Sequence, residues 1–215
     1  MNKKEQIKEA VDKIKEKVNE KHRDFKMPVG GKITSRKSTL VATFYKSITP
    51  EFLPTKKQVV EVLDLFGMQN VCSCVYCGDG WSEWDHFFSI VKKGGEPSGY
   101  VTEISNLVPC CGKCNQSKGN NYWKEWITSS AKKSPASRGV ANLDKKIELL
   151  ELFETTQKRQ TIDYAKMLGA SWDLHLLNLK AAVDALVKAE NHATILRLSI
   201  HTILTKEAAK NARRS

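Results

Sequence analysis

Two short cysteine motifs decide the fold of the middle of this chain: residues 74–77 read Cys-Val-Tyr-Cys and residues 111–114 read Cys-Gly-Lys-Cys. Together they supply four thiolates at the spacing of paired zinc knuckles, enough to close a tetrahedral Zn²⁺ site. One such motif alone would be ambiguous, because redox motifs share its spacing. A closed four-cysteine site leaves no position for water, so we expect a structural zinc. Its predicted ligands are Cys74, Cys77, Cys111 and Cys114.

Composition narrows the class of protein. The chain has 215 residues, a length that suits one domain or two small ones. Of these residues 40% are hydrophobic and 27% charged, an apolar fraction too high for a disordered chain. Residues 1–10 are charged and hold no apolar run of the kind that a secretory signal needs. No uncharged apolar stretch approaches the roughly 18 residues that span a bilayer. We therefore expect a cytoplasmic protein with no membrane partner, whose six cysteines bind metal or stay reduced.

The positive charge lies in two arms on either side of the cysteine motifs. The net charge is +11, and residues 1–70 and 131–215 each carry +6, whereas residues 71–130 carry −1. Basic surfaces of this kind suit a polyanion such as nucleic acid. Lysine-rich helix faces can also serve only to keep a protein soluble. The charge alone favours neither nucleic-acid binding nor solubility over the other.

Three further runs of sequence complete a recognisable pattern: Trp84-Asp85-His86 between the cysteine motifs, Asn106-Leu107-Val108-Pro109 before the second, and Cys114-Asn115-Gln116-Ser117-Lys118-Gly119 at its end. The stretch 74–127 resembles the HNH nuclease motif in its zinc-stapled form, a ββα-metal finger held together by CxxC pairs. The resemblance covers about a quarter of the chain, and its order of motifs is specific. The two arms resemble no family that we can name.

The resemblance implies a role for each residue of the motif. His86 would be the general base, since an imidazole with an ordinary pKa near 6.5 can take a proton at neutral pH. Asp85 and Asn115 would hold Mg²⁺ or Mn²⁺, hard cations that prefer oxygen ligands. Asn106 would pin the loop between the strands through backbone hydrogen bonds, and Lys118 would contact a phosphate of the DNA. Asparagine stands at position 115 where the family's name has histidine, a common variant.

These observations predict an α+β chain that is mostly helical, with a small ββα-metal finger and its structural Cys₄ zinc site flanked by helical arms. We place a mainly helical DNA-binding or dimerisation region at residues 1–69. The nuclease finger follows at 70–130, and a helical region completes the chain at 131–215.

Local patterns give several elements of the arms. An amphipathic helix is expected at 3–25, and a capped helix from Thr55 to Gly67, where Thr55 and Gln58 make a capping box. Residues 38–46 are predicted to form a strand or a buried segment. Residues 130–139 are the best candidate for a linker, and the apolar segment 195–204 is expected to pack inward.

The predicted function is a DNA endonuclease that hydrolyses phosphodiester bonds with one metal ion and leaves 5′-phosphate and 3′-hydroxyl ends. A chain with a central finger and two basic arms resembles an HNH type II restriction endonuclease, which cuts both strands of double-stranded DNA and is expected to be a homodimer. A phage- or intron-type HNH homing or nicking endonuclease is the first alternative. A non-catalytic, zinc-stapled DNA-binding protein is the second.

Overall fold

A computed structural model describes residues 30–212 of the chain. Of these, residues 33–212 belong to one compact unit. The helix predicted at 3–25 lies outside the described residues. Within them the chain is mostly helical, with one two-stranded antiparallel sheet beside the cysteine motifs. The predicted fold class is therefore confirmed.

The described part of the chain contains seven α-helices and two strands. In chain order they are α1 (Lys37–Lys46), α2 (Lys56–Leu65), β1 (Glu83–His86), β2 (Leu107–Cys110), α3 (Gly112–Lys118), α4 (Trp123–Ile127), α5 (Leu143–Thr156), α6 (Tyr164–Leu168) and α7 (Ala170–Ala212). Short 3₁₀ turns precede α1, β2 and α5, at Ile33–Arg36, Ile104–Asn106 and Ala136–Arg138.

The two strands pair so that the finger closes on itself. Glu83 faces Cys110 and His86 faces Leu107 across the antiparallel register. The end of β2 runs directly into the second cysteine motif, and the backbone NH of Val75 in the first motif donates to the carbonyl of Pro109 in β2. The pairing therefore fixes the Asp-His strand next to both knuckles.

One aromatic core supports this finger from beneath. Trp123, Trp126 and Phe87 are almost fully buried. Phe153 of α5 packs against Phe87 and against Phe66, the residue that follows α2, with ring centroids 5.1 and 5.3 Å apart. Such aromatic pairs each contribute about 0.5–1.5 kcal/mol beyond the area they bury. Helices on both sides of residues 70–130 thus complete the core of the finger.

A second core explains why residues 38–46 form the helix α1, where we expected a strand or a buried segment. Tyr45 packs against Trp172 of α7, with ring centroids 6.1 Å apart, and Trp172 stacks on Tyr164 at 5.1 Å. The β-branched residues of this segment suit a strand locally, but the only sheet within residues 30–212 is the pair β1 and β2. Packing against α7 decides the conformation.

The capped helix predicted from Thr55 is confirmed as α2. The side chain of Thr55 accepts a hydrogen bond from the backbone NH of Gln58, and the Gln58 side chain accepts one from the backbone NH of Thr55. Gly67 follows the end of the helix with φ +69°, a left-handed conformation that favours glycine.

The segment 130–139 is more ordered than a linker. Ser134 is fully buried, and its hydroxyl donates to the carbonyl of Ser129 at 2.6 Å. The hydroxyl of Ser117 in α3 donates to the carbonyl of Lys132 at 2.7 Å. These contacts attach the segment to the finger.

The apolar segment 195–204 does not pack inward, and that prediction is wrong. It lies in the second half of α7, which is 43 residues long and continues beyond both cores. The side chains of Leu198 and Ile195 are 64% and 61% exposed. Among the helices of residues 30–212, none has both the length and the apolar character to cross a membrane.

Candidate active site and zinc cluster

The four predicted zinc ligands lie together at the base of the finger. The sulfur atoms of Cys74, Cys77, Cys111 and Cys114 all lie within 4.8 Å of one another. The Sγ atoms of Cys77 and Cys111 are 3.7 Å apart, close to the roughly 3.8 Å edge of a tetrahedron with Zn–S bonds of about 2.3 Å. Four soft thiol ligands in this arrangement fit Zn²⁺, so the cluster indicates a structural zinc site.

Arg138 adds a positive charge to the cluster. Its Nη2 donates to Sγ of Cys114 at 3.2 Å, while Nη1 lies 3.3 Å from a carboxylate oxygen of Asp79. Four thiolates around Zn²⁺ carry a net charge of −2, so a guanidinium at this position would stabilise the loaded site. No motif in the sequence indicates this interaction, because Arg138 lies 24 residues beyond the last ligand.

The three residues expected to perform chemistry line one cavity of about 380 Å³: Asp85 and His86 at the end of β1, and Asn115 in α3. Glu83 and Lys46 also line this cavity. Adjacent residues of a strand point to opposite faces, yet Asp85 and His86 both reach this space because β1 ends here. The fold thus brings together residues that lie 30 positions apart in the sequence.

His86 is held as a neutral imidazole. Its Nε2 lies 2.9 Å from the hydroxyl oxygen of Thr102, which leaves Nδ1 for a further partner. Burial lowers the pKa of His86 to about 4, and the positive charges of Lys46 and Lys118 act in the same direction. A neutral ring at pH 7 has the free lone pair that a general base requires.

The segment that carries Thr102 is fixed from two sides, and the sequence analysis missed it. The backbone of Thr102 exchanges hydrogen bonds with Pro50 and Phe52, at 3.0 and 2.8 Å. Three residues earlier, Gly99 has φ +89°, and a Cβ there would lie 2.6 Å from the carbonyl oxygen of Ile162. Only glycine fits this close approach, which holds the segment against residues 161–162.

Asp85 lies at the back of the cavity, only 6% exposed. Its Oδ2 accepts a hydrogen bond from the hydroxyl of Tyr76 at 2.8 Å and lies 2.9 Å from Nζ of Lys118. Both contacts use the same oxygen, which leaves Oδ1 for another ligand. Burial raises the pKa of Asp85, whereas the ammonium of Lys118 and the hydroxyl of Tyr76 oppose that rise by favouring the ionised form.

Lys118 has a different place from the one we expected. Its side chain is fully buried, and Nζ also donates to the backbone carbonyl of His86 at 2.8 Å. A fully buried ammonium in these contacts does not reach a phosphate on the surface. The lysine instead neutralises Asp85 and fixes the end of β1.

Asn106 lies under the loop that follows β1 and is fully buried. Its Oδ1 accepts from the backbone NH of Phe88 at 2.9 Å, and its Nδ2 donates to the carbonyls of Phe88 and Val101 at 3.0 and 3.4 Å. One amide side chain therefore joins the loop after His86 to the chain that leads to Thr102.

Glu83 is a further site residue that the sequence analysis did not select. Its Oε2 accepts a hydrogen bond from Nδ2 of Asn115 at 3.0 Å, so the amide oxygen of Asn115 stays available. Side chains alternate between the two faces of a strand, so Glu83 lies on the same face as Asp85, two positions away. That pattern could have identified Glu83 as a site residue. Carboxylate and amide oxygens at one cavity fit a hard divalent cation such as Mg²⁺.

Comparisons with known proteins give one partial match. The chain is similar to the CRISPR-associated endonuclease Cas9 of Corynebacterium diphtheriae, with 40% identity over 76 residues. The match covers 32% of this chain and 6% of Cas9, so the chain corresponds to a small part of that protein's length. No family model matches the chain, and no solved structure matches it.

Proposed function

We propose that the chain is an HNH-type DNA endonuclease that depends on Mg²⁺ or Mn²⁺. The observation that carries the proposal is that His86, Asp85 and Asn115 line one cavity. The partial similarity to Cas9, a protein that contains an HNH nuclease domain, agrees with it. The net charge of +11 suits a nucleic-acid substrate.

In the proposed reaction Nδ1 of His86 accepts a proton from a water molecule, and the resulting hydroxide attacks phosphorus. The bond from phosphorus to the 3′-oxygen breaks, and that oxygen takes a proton from solvent, which leaves 5′-phosphate and 3′-hydroxyl ends. Thr102 orients the imidazole through Nε2. A divalent cation bound by Asp85 and Asn115 would supply positive charge to stabilise the transition state. Lys118 and Tyr76 hold the Asp85 carboxylate in place.

The finer proposal is a type II restriction enzyme that cuts double-stranded DNA at a specific site. Cutting both strands calls for two active sites, which a homodimer supplies. The exposed apolar side chains in the second half of α7 offer surface for such a pairing. A homing or nicking endonuclease is the alternative within the same chemistry, and the products distinguish them.

Incubation of the purified full-length chain with supercoiled plasmid and Mg²⁺ tests the proposal. Discrete linear fragments indicate restriction, a nicked circle indicates a nicking or homing enzyme, and a smear indicates a non-specific nuclease. The variant His86→Ala should cut far more slowly. The matched control is His192→Ala, which changes an exposed histidine of α7 and should cut like the parent. Intact plasmid with both the parent and His192→Ala would contradict the proposal.

A zinc-stapled DNA-binding protein without catalysis is the second candidate. One observation favours it: Lys118 already neutralises the carboxylate of Asp85, which weakens its attraction for a cation. This candidate predicts DNA binding that Mg²⁺ does not change and no cleavage under any divalent metal. A protein that binds the plasmid and leaves it supercoiled would support this candidate over the nuclease.

A further inference from the structure

We propose that a lysine-lined groove along α1 binds the sugar-phosphate backbone of the DNA strand that enters the cavity of His86. This inference rests on the proposed function, because it takes that cavity as the cleavage site. It assigns a DNA path to one defined surface, where the charge of the sequence alone indicated only two basic arms.

Three adjoining cavities form the groove. The outermost, of about 630 Å³, lies between α1, the turn at 92–95 and α7. The middle one, of about 550 Å³, follows α1, and the third is the cavity of about 380 Å³ that holds His86. Asn120 lines all three, Lys93 joins the first to the second, and Lys46 joins the second to the third. The groove is therefore continuous up to the proposed site.

The first two cavities of the groove are positively charged. Five lysines line it, and they come from α1, the turn after Val91 and α7: Lys37, Lys46, Lys92, Lys93 and Lys180. In the part of the chain that the structure describes, no aspartate or glutamate lines the first two cavities. Acidic side chains enter only at the third, where Glu83 and Asp85 lie. Positive charge along the first two cavities, followed by carboxylates that can bind a cation, suits a polyanion that extends from the groove to the proposed metal site.

The lining indicates contact with the backbone of the nucleic acid and not with its bases. Binding of bases without sequence preference relies on aromatic side chains for stacking, and no aromatic residue among those described lines the first two cavities. Hydroxyl and amide side chains lie between the lysines instead, among them Ser38, Thr39 and Asn120. These groups donate hydrogen bonds to phosphate oxygens.

The length of the groove suits several phosphates. Lys37 and Lys46 lie nine residues apart on α1. That separation is about 13 Å at about 1.5 Å per residue, the axial rise of about four nucleotides in one strand of B-DNA. The groove therefore holds the flank of the cleaved strand, without reading its sequence.

A salt titration of DNA binding tests this path. Lys37, Lys92, Lys93 and Lys180 are all exposed, and a variant changes these four to Gln. A matched control changes four exposed lysines outside the groove to Gln and so removes the same charge: Lys56, Lys57, Lys145 and Lys206. Both sets are made on the His86→Ala background, so that Mg²⁺ can be present without cleavage. Kd is measured by fluorescence anisotropy on a labelled duplex.

The groove variant should bind at least about ten-fold more weakly. Its slope of log K against log salt should become shallower by about 3 to 4, at about 0.9 for each phosphate that the protein no longer neutralises. The control variant should keep most of the parent slope. Equal changes in both variants would overturn the proposal, as would a preference for RNA or an acidic protein over the duplex at the groove.

A second pair of variants keeps the test valid if the variant with four lysines replaced does not fold. Thr39→Glu places a carboxylate in the groove, and Thr155→Glu places one on the exposed face of α5; only the first should weaken DNA binding. The outcome is separable from that of the proposed function. Weaker binding in Thr39→Glu with no cleavage by the parent retains the groove and rejects the nuclease, whereas cleavage with unchanged binding rejects the groove.

Discussion

The zinc cluster and the cavity of His86 lie beside the same two-stranded sheet but differ in ligand chemistry. The cluster has four soft thiols that face one another, largely buried. The cavity has oxygen donors and an imidazole, and it is open to a groove. A closed site stabilises the fold and an open site performs chemistry. The difference indicates that one region of the finger can be changed without the other.

Tyr76 connects the two regions. Tyr76 lies within the first cysteine motif, and its hydroxyl donates to Asp85 in the cavity. Its ring packs edge-on against Trp126 of the core, with centroids 5.1 Å apart. Variants at the cluster, at the buried pair and at this connection therefore separate stability from activity.

The largest effect is expected from Cys77→Ser. Loss of one thiolate should release the zinc and lower the free energy of unfolding by more than about 4 kcal/mol, because metal binding at such a site is folding energy. Cys72→Ser is the matched control, since Cys72 is half-buried and outside the cluster. Metal analysis and thermal melting check both. A Cys77→Ser protein that keeps one zinc and melts like the parent would show that the cluster does not hold the finger together.

The next largest effect is expected from Lys118→Met. Removing one partner of a buried ion pair leaves Asp85 uncompensated, which should lower the free energy of unfolding by about 3–5 kcal/mol. Lys113→Met, at an exposed position of the same helix, is the control and should change it little. Urea unfolding measures the difference. Mg²⁺ should partly restore the stability of Lys118→Met if Asp85 binds the cation, and no such recovery would assign Asp85 a structural role only.

Tyr76→Phe should have the smallest effect. The change removes one hydrogen bond to Asp85 while Lys118 keeps its ion pair, so the free energy of unfolding should fall by about 1–2 kcal/mol and zinc should stay bound. Tyr122→Phe, whose hydroxyl bonds Glu154 at an exposed position, is the control. If Tyr76→Phe released the zinc, the cluster and the cavity would not be separable regions.

Sequence reasoning was most successful where one local motif specifies the geometry. The paired CxxC motifs predicted the cysteine cluster, and Thr55 with Gln58 predicted the start of α2. Both depend on residues close in sequence or on ligands of one type. The strand that carries Asp85 and His86 was predicted from the resemblance to the HNH motif.

Sequence reasoning failed where contacts across the chain decide. Residues 38–46 suit a strand locally, but Tyr45 packs on Trp172 more than 120 positions away. Lys118 looked like a surface residue because no periodicity reveals its ion pair with Asp85. Thr102 lies 16 positions from His86, and the contacts that hold its segment, with Pro50, Phe52 and Ile162, are all distant in sequence. Apolar residues 195–204 looked like core, although the helix that holds them extends past both cores.

The most direct test of the proposed chemistry measures zinc content and plasmid cleavage in the same preparations of the parent and His86→Ala. Both proteins should hold one zinc per chain and melt alike. The parent should cut in Mg²⁺, and the variant should cut about 10²–10⁴-fold more slowly, the range expected for loss of a general base. Zinc-loaded parent protein that does not cut, or a His86→Ala variant that cuts at the parent rate, would contradict the role of His86 as the base of a zinc-stapled nuclease.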